Sequence, residues 1–393
     1  MAARRATRGG GPIAILRAVA FAPGDGSAAA LAVVDDILNG RGSILPVPAH
    51  DRAESDALSS ALRVGEPIDD RVAVVLSTSG STGRPKGAML PVTALTASAE
   101  ATHARLGGPG RWLLALPTYH VAGFQVLVRS VLAGASPATV TPSFDPAELA
   151  AAIDSMGSGR RYASLVAAQL DKALRDPHAT RALAGLDAVL IGGGPMPDRI
   201  REKASAAKIP VVRTYGMSET AGGCVYDGTP LDGVSVHVPD DGRIHLGGPT
   251  VAVGYRNPVT PDPFAEPGWF RTDDLGVVDG TGVLRVLGRA DDAISTGGLT
   301  VLPGPVEAAL SRHPAVAECA VFGVPDDRLG QRVAAVVVVT PGASVTLAQL
   351  RSQVVETLPA TAAPRELHIV DELPRHGIGK VDRRELARRF AAR

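Results

Sequence analysis

Cysteine is nearly missing from this sequence: Cys224 and Cys319 stand alone among 393 residues, far apart and in no metal-ligand spacing. That scarcity excludes a disulfide framework and a structural zinc site. Aromatic residues make up only 4%, so a core must be built mainly from Ala, Val and Leu. No charge of either sign is in surplus, with 40 Lys+Arg against 40 Asp+Glu. Nucleic-acid binding depends on phosphate neutralisation by a basic excess, so that class is disfavoured. No apolar run approaches the roughly 18 residues that a bilayer span requires. Lysine is scarce too: Lys86, Lys172, Lys203, Lys208 and Lys380 face 35 arginines. Each lysine therefore marks a position where arginine would not serve equally well, since the two cations differ in shape and donor geometry.

What is present is ordinary for a globular chain: 45% hydrophobic and 20% charged. Glycine and proline together stay below the roughly 25–30% at which disorder becomes the default. The opening MAARRATRGGGPIAILRAVAFAPG has basic residues before an apolar stretch, but Arg17 interrupts it and no clean cleavage site follows. It reads as a frayed tail leading into a first element rather than an export signal. Reduced thiols without an export signal point to a cytoplasmic location.

Asp25–Asn39 and His50–Leu62 read as helices. RVAVVL (71–76), WLLAL (112–116), YASLVAA (162–168), AVLIGGG (188–194) and VVRTYG (211–216) read as buried strands, with helices expected over 91–105 and 121–134. Strands alternating with helices predict an α/β fold around a mostly parallel sheet, whose ligands sit beyond the carboxyl ends of strands. From about residue 229 the texture changes to short strands with turn signals, a small antiparallel β module. After Gly288–Asp292 comes a compact α+β segment. We place the domains at 1–288, a large amino-terminal unit that binds ATP and the acyl group; 289–292, a hinge; and 293–393, a small mobile unit.

The strongest local signal is LSTSGSTGRPKGAML (76–90). Small side chains from Ser77 to Gly83 let backbone N–H groups approach phosphate oxygens, and hydroxyls add donors. It is not a GxxxxGK[ST] P-loop, because Lys86 precedes a glycine and Pro85 stands where that helix would begin. Four more motifs follow: YGMSET (215–220), GWFRTDDLG (268–276), LGRADDAISTGG (287–298) and GIGKVDRREL (377–386). In this order the five resemble the signatures of the adenylate-forming superfamily: acyl-CoA synthetases, adenylation domains of peptide synthetases and luciferases. Asp273 departs from the pattern by replacing its usual glycine.

The resemblance implies a two-step ligase using ATP, Mg2+ and coenzyme A. A carboxylate attacks the α-phosphate, pyrophosphate leaves, and a thiol then displaces AMP. Ser77, Thr78, Ser79, Gly80, Ser81, Thr82, Gly83 and Lys86 would wrap the β- and γ-phosphates. Glu219 would bind Mg2+ with help from Thr78. Tyr215 would stack on adenine opposite Gly193, Gly194 and Pro195, with Gly216 and Ser218 beside it. Asp274 would accept from the ribose hydroxyls and Arg289 would support ribose or phosphate. Lys380 would bridge the α-phosphate and the substrate carboxylate, which requires the small unit to rotate about a hinge at Asp291.

LPTYHVAGFQVLVRSVLAG (116–134) and STGGLTVLPGPVEAAL (295–310) resemble o-succinylbenzoate–CoA ligases of actinobacterial type, from menaquinone biosynthesis. Pro305 departs from the glutamate common there. The acid would be a dianion whose aromatic carboxylate is not activated and needs a cation or several donors. Gln125 and Arg129 are four apart and share a helix face. Arg129 lies amid Val, Leu and Ala, which makes it the candidate for that carboxylate. His120 and Ser164 are further acyl-site candidates, with Gln169 a weaker one. Two other readings stay open at this point: another aryl or fatty acyl-CoA ligase, and a stand-alone adenylation domain loading a carrier protein. Small-molecule partners are expected, no nucleic acid or membrane span, and the oligomeric state is open, a homodimer among the arrangements.

Overall fold

A computed structural model describes residues 14–78, 85–376 and 380–391. The first sheet carries three parallel strands, Leu16–Phe21, Ser43–Pro48 and Val72–Leu76, and a fourth, Ala88–Pro91, antiparallel to the third. Helices Ala28–Leu38 and Arg52–Ala61 make the crossovers, capped by the side chains of Ser27 and Asp51. Both are shorter at their starts than the sequence reading, because those caps fix where the helix begins. SILPVP (43–48) escaped that reading because two prolines disguise a strand whose six residues are all buried.

The second sheet has seven strands in the order Thr229–Pro230, Gly222–Tyr226, Val211–Met217, Ala188–Gly192, Arg161–Val166, Arg111–Leu114, Ala138–Thr139. The last five are parallel and the first two antiparallel, so the expected parallel character holds over most of the sheet. Alternation sends Trp112, Leu114, Tyr162 and Leu190 to one core and Leu113, Ala163, Leu165, Val189 and Ile191 to another. Both faces are thereby covered, as parallel sheets require. The second core is closed by Pro146–Asp154, Pro177–Ala184 and Asp198–Ala206, short helices that the sequence reading did not find.

Helix Val121–Leu132 lies in the first core, packed on helices Ala28–Leu38 and Val92–Arg105, and every residue from Gly123 to Ser130 is buried. A helix apolar on nearly all sides belongs in such a place, between two sheets. Gly123 is required there: a Cβ would lie 2.2 Å from the Pro117 carbonyl oxygen. The preceding loop, Leu116–His120, can thus lie against the helix.

A third, antiparallel sheet comprises Ser235–His237, Arg243–Gly247, Trp269–Val278 and Leu284–Arg289. Beyond it, Gly330–Val339 pairs with Val316–Asp326, Ile294–Thr296 and Glu366–Ile369, with Leu299–Val301 at the edge. Helices Pro303–Leu310 and Leu347–Val355 pack on one face of that sheet, and Arg383–Ala391 on the other. A hairpin pairs Arg375–His376 with Lys380–Val381. Among the described residues no helix is long and apolar enough to cross a membrane.

Candidate active site

Two neighbouring parallel strands of the seven-stranded sheet end side by side, and their carboxyl ends form the floor of the candidate site. Ala188–Gly192 runs out into the exposed residues Gly193, Gly194 and Pro195. Its neighbour Val211–Met217 delivers Tyr215 and Gly216 and passes into the tight turn Ser218–Thr220. Gly216 is enforced by contact, since a Cβ would meet the Gly222 carbonyl oxygen at 2.1 Å. Strand Val72–Leu76 leads into Ser77 and Thr78, the described residues that open the small-residue motif. Leu76 pairs with Ala88, so the two strands that flank the small-residue motif, Val72–Leu76 and Ala88–Pro91, are antiparallel neighbours. This corrects the expectation of a strand–loop–helix arrangement: helix Val92–Arg105 begins only after Ala88–Pro91. The correction has a backbone cause, because that fourth strand also exchanges hydrogen bonds with Val253 and Gly254. Ser79, Gly80, Ser81, Thr82 and Gly83 lie outside the described residues.

Glu219 is buried, 7% exposed, and its Oε1 accepts a hydrogen bond from the Tyr255 hydroxyl at 2.6 Å. Burial, and then the Glu219 charge, hold the Tyr255 phenol well above its ordinary pKa, so it stays a donor. The Lys86 ammonium sits over the same ring, 5.3 Å from its centroid. Thr78 Oγ1 is buried and has no hydrogen-bond partner among the described residues. A carboxylate and a hydroxyl are both hard oxygen donors of the kind magnesium prefers. No group of three His, Cys, Asp or Glu capable of holding a metal occurs among the described residues. A magnesium ion at Glu219 would therefore complete its shell with water and phosphate oxygens, which is its usual habit.

Tyr215 donates its hydroxyl to Asp274 Oδ2 at 2.7 Å. Asp274 receives further support from the Thr272 hydroxyl, which accepts from its backbone N–H. Arg289 stands opposite Asp274 in the sheet register, with 3.7 Å between Nη1 and Oδ1. The same guanidinium donates to both oxygens of Asp291, at 2.7 and 2.8 Å. Burial opposes charge on Asp291, but the paired Arg289 outweighs it and keeps the carboxyl below its usual range. Asp273, the departure from the family pattern, bonds Arg243 at 3.1 Å and lies 3.6 Å from Arg289. Tyr215, Asp274, Arg289 and Asp291 are thus one connected network.

The acyl candidates divide. His120 caps helix Val121–Leu132 and lines a cleft of about 400 Å3 with Glu54, Leu116, Pro117, Tyr119, Val166 and Gln169. Gln125, Arg129 and Ser164 do not line that cleft; they are buried in the core behind it. Arg129 is 3% exposed, its guanidinium 4.7 Å from the Trp112 ring, and its Nη2 donates to the Thr102 hydroxyl at 3.3 Å. Its Nε and the Gln125 Oε1 have no partner, and no carboxylate pairs with Arg129 among the described residues. Gln125 reaches toward the Glu219 turn, with its Cγ against Gly222. The Lys380 backbone lies in the hairpin opposite His376. Sequence reasoning missed Tyr255, Tyr119 and Glu54. Tyr255 stands alone in a Gly- and Pro-rich loop with no periodicity to mark it.

Beside Arg129, His103 accepts from Trp112 Nε1 at 3.3 Å, which requires a neutral imidazole. Burial, reinforced by the Arg129 charge, lowers its pKa from 6.5 to about 4. Between those values the unfolded chain binds the extra proton, so stability falls as pH drops through that window. The cost is on the order of 3 kcal/mol once the unfolded imidazole is fully charged. Urea titrations across this range should show a shallower acid loss for His103→Gln; an unchanged slope would mean that His103 is not held neutral.

The AMP-binding enzyme family model matches residues 28–256, and that of the AMP-binding enzyme C-terminal domain matches 305–380. The probable 2-succinylbenzoate–CoA ligase of Mycobacterium tuberculosis (strain CDC 1551 / Oshkosh) is 63% identical over 382 residues, covering 96% of this chain and 99% of the relative. The 2-succinylbenzoate–CoA ligase of Geobacillus kaustophilus is 36% identical, covering 93% and 79%. Among solved structures, ATP-bound MatB from Rhodopseudomonas palustris superposes with a TM-score of 0.82 at 26% identity, over 97% of this chain and 90% of that one. The o-succinylbenzoate CoA synthetase MenE from Bacillus subtilis, in complex with the acyl-adenylate OSB-AMP, gives 0.72 at 27%, over 92% and 81%.

Proposed function

The chain belongs to the AMP-binding enzyme family, and on that premise we propose that it joins 2-succinylbenzoate to coenzyme A in two steps. The aliphatic carboxylate attacks the α-phosphorus of ATP, releasing pyrophosphate and leaving an acyl-adenylate. The thiol of coenzyme A then attacks the acyl carbon, and AMP departs with one former carboxylate oxygen. No covalent link to the protein forms, so the protein's work is orientation and charge neutralisation.

The residue roles extend the motif resemblance to these positions. Lys86 and the residues from Ser77 to Gly83 receive the β- and γ-phosphates. Glu219, with Thr78, holds the magnesium ion, which supplies positive charge against the polyphosphate. Tyr215 keeps Asp274 aimed at the ribose hydroxyls through its phenol, while its ring and Gly193, Gly194 and Pro195 bound the adenine. Gly216 and Ser218 complete that wall, and Arg289 steadies the ribose side. Lys380 brings the ammonium to the reacting carboxylate. We assign 1–288 to the large unit, 289–292 to the hinge at Asp291 and 293–393 to the rotating unit; the two family matches leave residues 257–304 between them, a gap that contains this hinge. Cytoplasmic work fits two free thiols.

The observation that carries the choice of acid is the acid-free guanidinium of Arg129. A buried cation without a counter-ion is costly, and a second substrate carboxylate would relieve that cost. Helix Val121–Leu132 starts at the cleft, and Arg129 lies roughly 13 Å along it. Gln125 sits on the same face one turn nearer. His120 bounds the acyl group at the cleft, and Ser164 lies in the core behind it.

Pyrophosphate release, measured over 2-succinylbenzoate, benzoate and octanoate with and without coenzyme A, tests the assignment. Release should be fastest with 2-succinylbenzoate, and turnover should require the thiol. Benzoate or octanoate outpacing 2-succinylbenzoate would reject the acid; turnover indifferent to coenzyme A would favour carrier loading.

A further inference from the structure

Tyr255 belongs to none of the five motifs, yet it touches two of their charged residues. The stretch Ala252–Asn257 is bonded to both sides of the nucleotide site by its backbone. On one side the Ala252 N–H donates to the Glu219 carbonyl at 2.9 Å. On the other, Arg256 and Asn257 donate to the carbonyls of Gly87 and Lys86 at 2.8 and 2.9 Å, and Met89 donates to Gly254. The buried Tyr255 side chain is fixed between them, its ring edge-on to Phe264 at 5.1 Å. Its hydroxyl reaches Glu219 and one ring face carries the Lys86 ammonium.

We propose that Tyr255 is a positioning residue for the metal and nucleotide: its hydroxyl orients the Glu219 carboxylate, and its ring keeps the Lys86 ammonium apart from that carboxylate. The inference rests on the nucleotide-site reading of Glu219 and Lys86. A carboxylate has about four lone-pair sites. The phenol takes one of those on Oε1, and that bond restricts how the carboxylate can turn toward a metal. Lysine is a compact charge on a flexible four-carbon stem. Without the ring, Lys86 could fold onto Glu219 as a contact ion pair. Each charge would then be spent on the other and would have to be released before a metal–nucleotide complex could bind. The aromatic face holds the ammonium only weakly, so the cation is ready to leave for a phosphate.

Calorimetric titration of the full chain with ATP, with and without Mg2+, tests this directly. The wild type should bind ATP more tightly when Mg2+ is present. Tyr255→Phe keeps the ring and removes the donor to a charged acceptor, so the Mg2+ enhancement should shrink by about tenfold or more. Its ATP affinity without metal should stay at the wild-type value, which a merely structural role would not predict, while its ligand-free melting temperature falls because the buried Glu219 carboxylate loses that donor. Tyr255→Leu should in addition weaken metal-free ATP binding, because Lys86 is then free to pair with Glu219; should that variant not fold, Tyr255→Phe decides alone. Combined with Glu219→Gln, Tyr255→Phe should add no further loss. A wild-type Mg2+ enhancement in Tyr255→Phe, or an equal loss with and without metal, overturns the proposal and leaves the nucleotide site standing. A wild type whose ATP binding ignores Mg2+ overturns both.

Discussion

Lys380→Ala is expected to lower acyl-adenylate formation by about 10²–10³-fold, the usual cost of losing one donor aimed at developing charge. Negative charge concentrates on the α-phosphate oxygens and on the attacking carboxylate at the same moment, and a compact ammonium can serve both. Lys380→Arg should rescue little, since a planar guanidinium presents its donors in a fixed fork. The second half-reaction isolates the effect. Thioester formation from preformed acyl-adenylate and coenzyme A should proceed at a wild-type rate, because no α-phosphate attack remains. Rapid-quench measurement of both halves settles the matter, and equal losses in the two would remove Lys380 from the first step. That lysine was retained here, in a chain with 35 arginines, fits a role that arginine does not fill.

Arg129→Met should separate substrate recognition from stability in opposite directions. Removing one partner of a buried charge pair costs about 2–5 kcal/mol. If the second carboxylate of 2-succinylbenzoate is that partner, kcat/KM for this acid should fall by well over tenfold. Among the described residues of the ligand-free chain the same guanidinium has no acid and an unpartnered Nε, with Thr102, the Trp112 face and His103 as neighbours. An apolar side chain of similar volume relieves that burial, so the melting temperature should hold or rise. Loss of both stability and activity would point to a core role for Arg129 instead. A monoacid substrate gives the control, since Arg129→Met should affect it little.

Much of the site could be read from the chain because its motifs coincide with strand ends. VVRTYG and AVLIGGG are apolar runs that stop in glycine, and the sheet places them side by side so that Tyr215 and Gly193 meet at one edge. The Gln125–Arg129 spacing likewise fixed a shared helix face before any coordinates did. Burial was also foreseen for Arg129, but the cleft boundary was not: whether a residue lines a cavity or stands behind it depends on neighbours from distant segments such as Glu54 and Gln169. Tyr255 illustrates the limit most sharply. Its importance lies in partners 36 residues before it at Glu219 and still farther back at Lys86, and a lone tyrosine in VGYRNP carries no local sign of either. The fourth strand of the first sheet failed for a related reason. AMLP is too short to show alternation, and its pairing partner precedes a glycine- and serine-rich motif that draws attention to itself alone.

Isotope transfer gives the most direct test of the central claim, that the carboxylate of 2-succinylbenzoate attacks the α-phosphorus of ATP. The acid, labelled with 18O in its aliphatic carboxyl group, is turned over with ATP, Mg2+ and coenzyme A, and the AMP is analysed by mass spectrometry. The account predicts one labelled oxygen in each AMP and none in pyrophosphate. Label appearing in inorganic phosphate, or AMP formed without label, would contradict it.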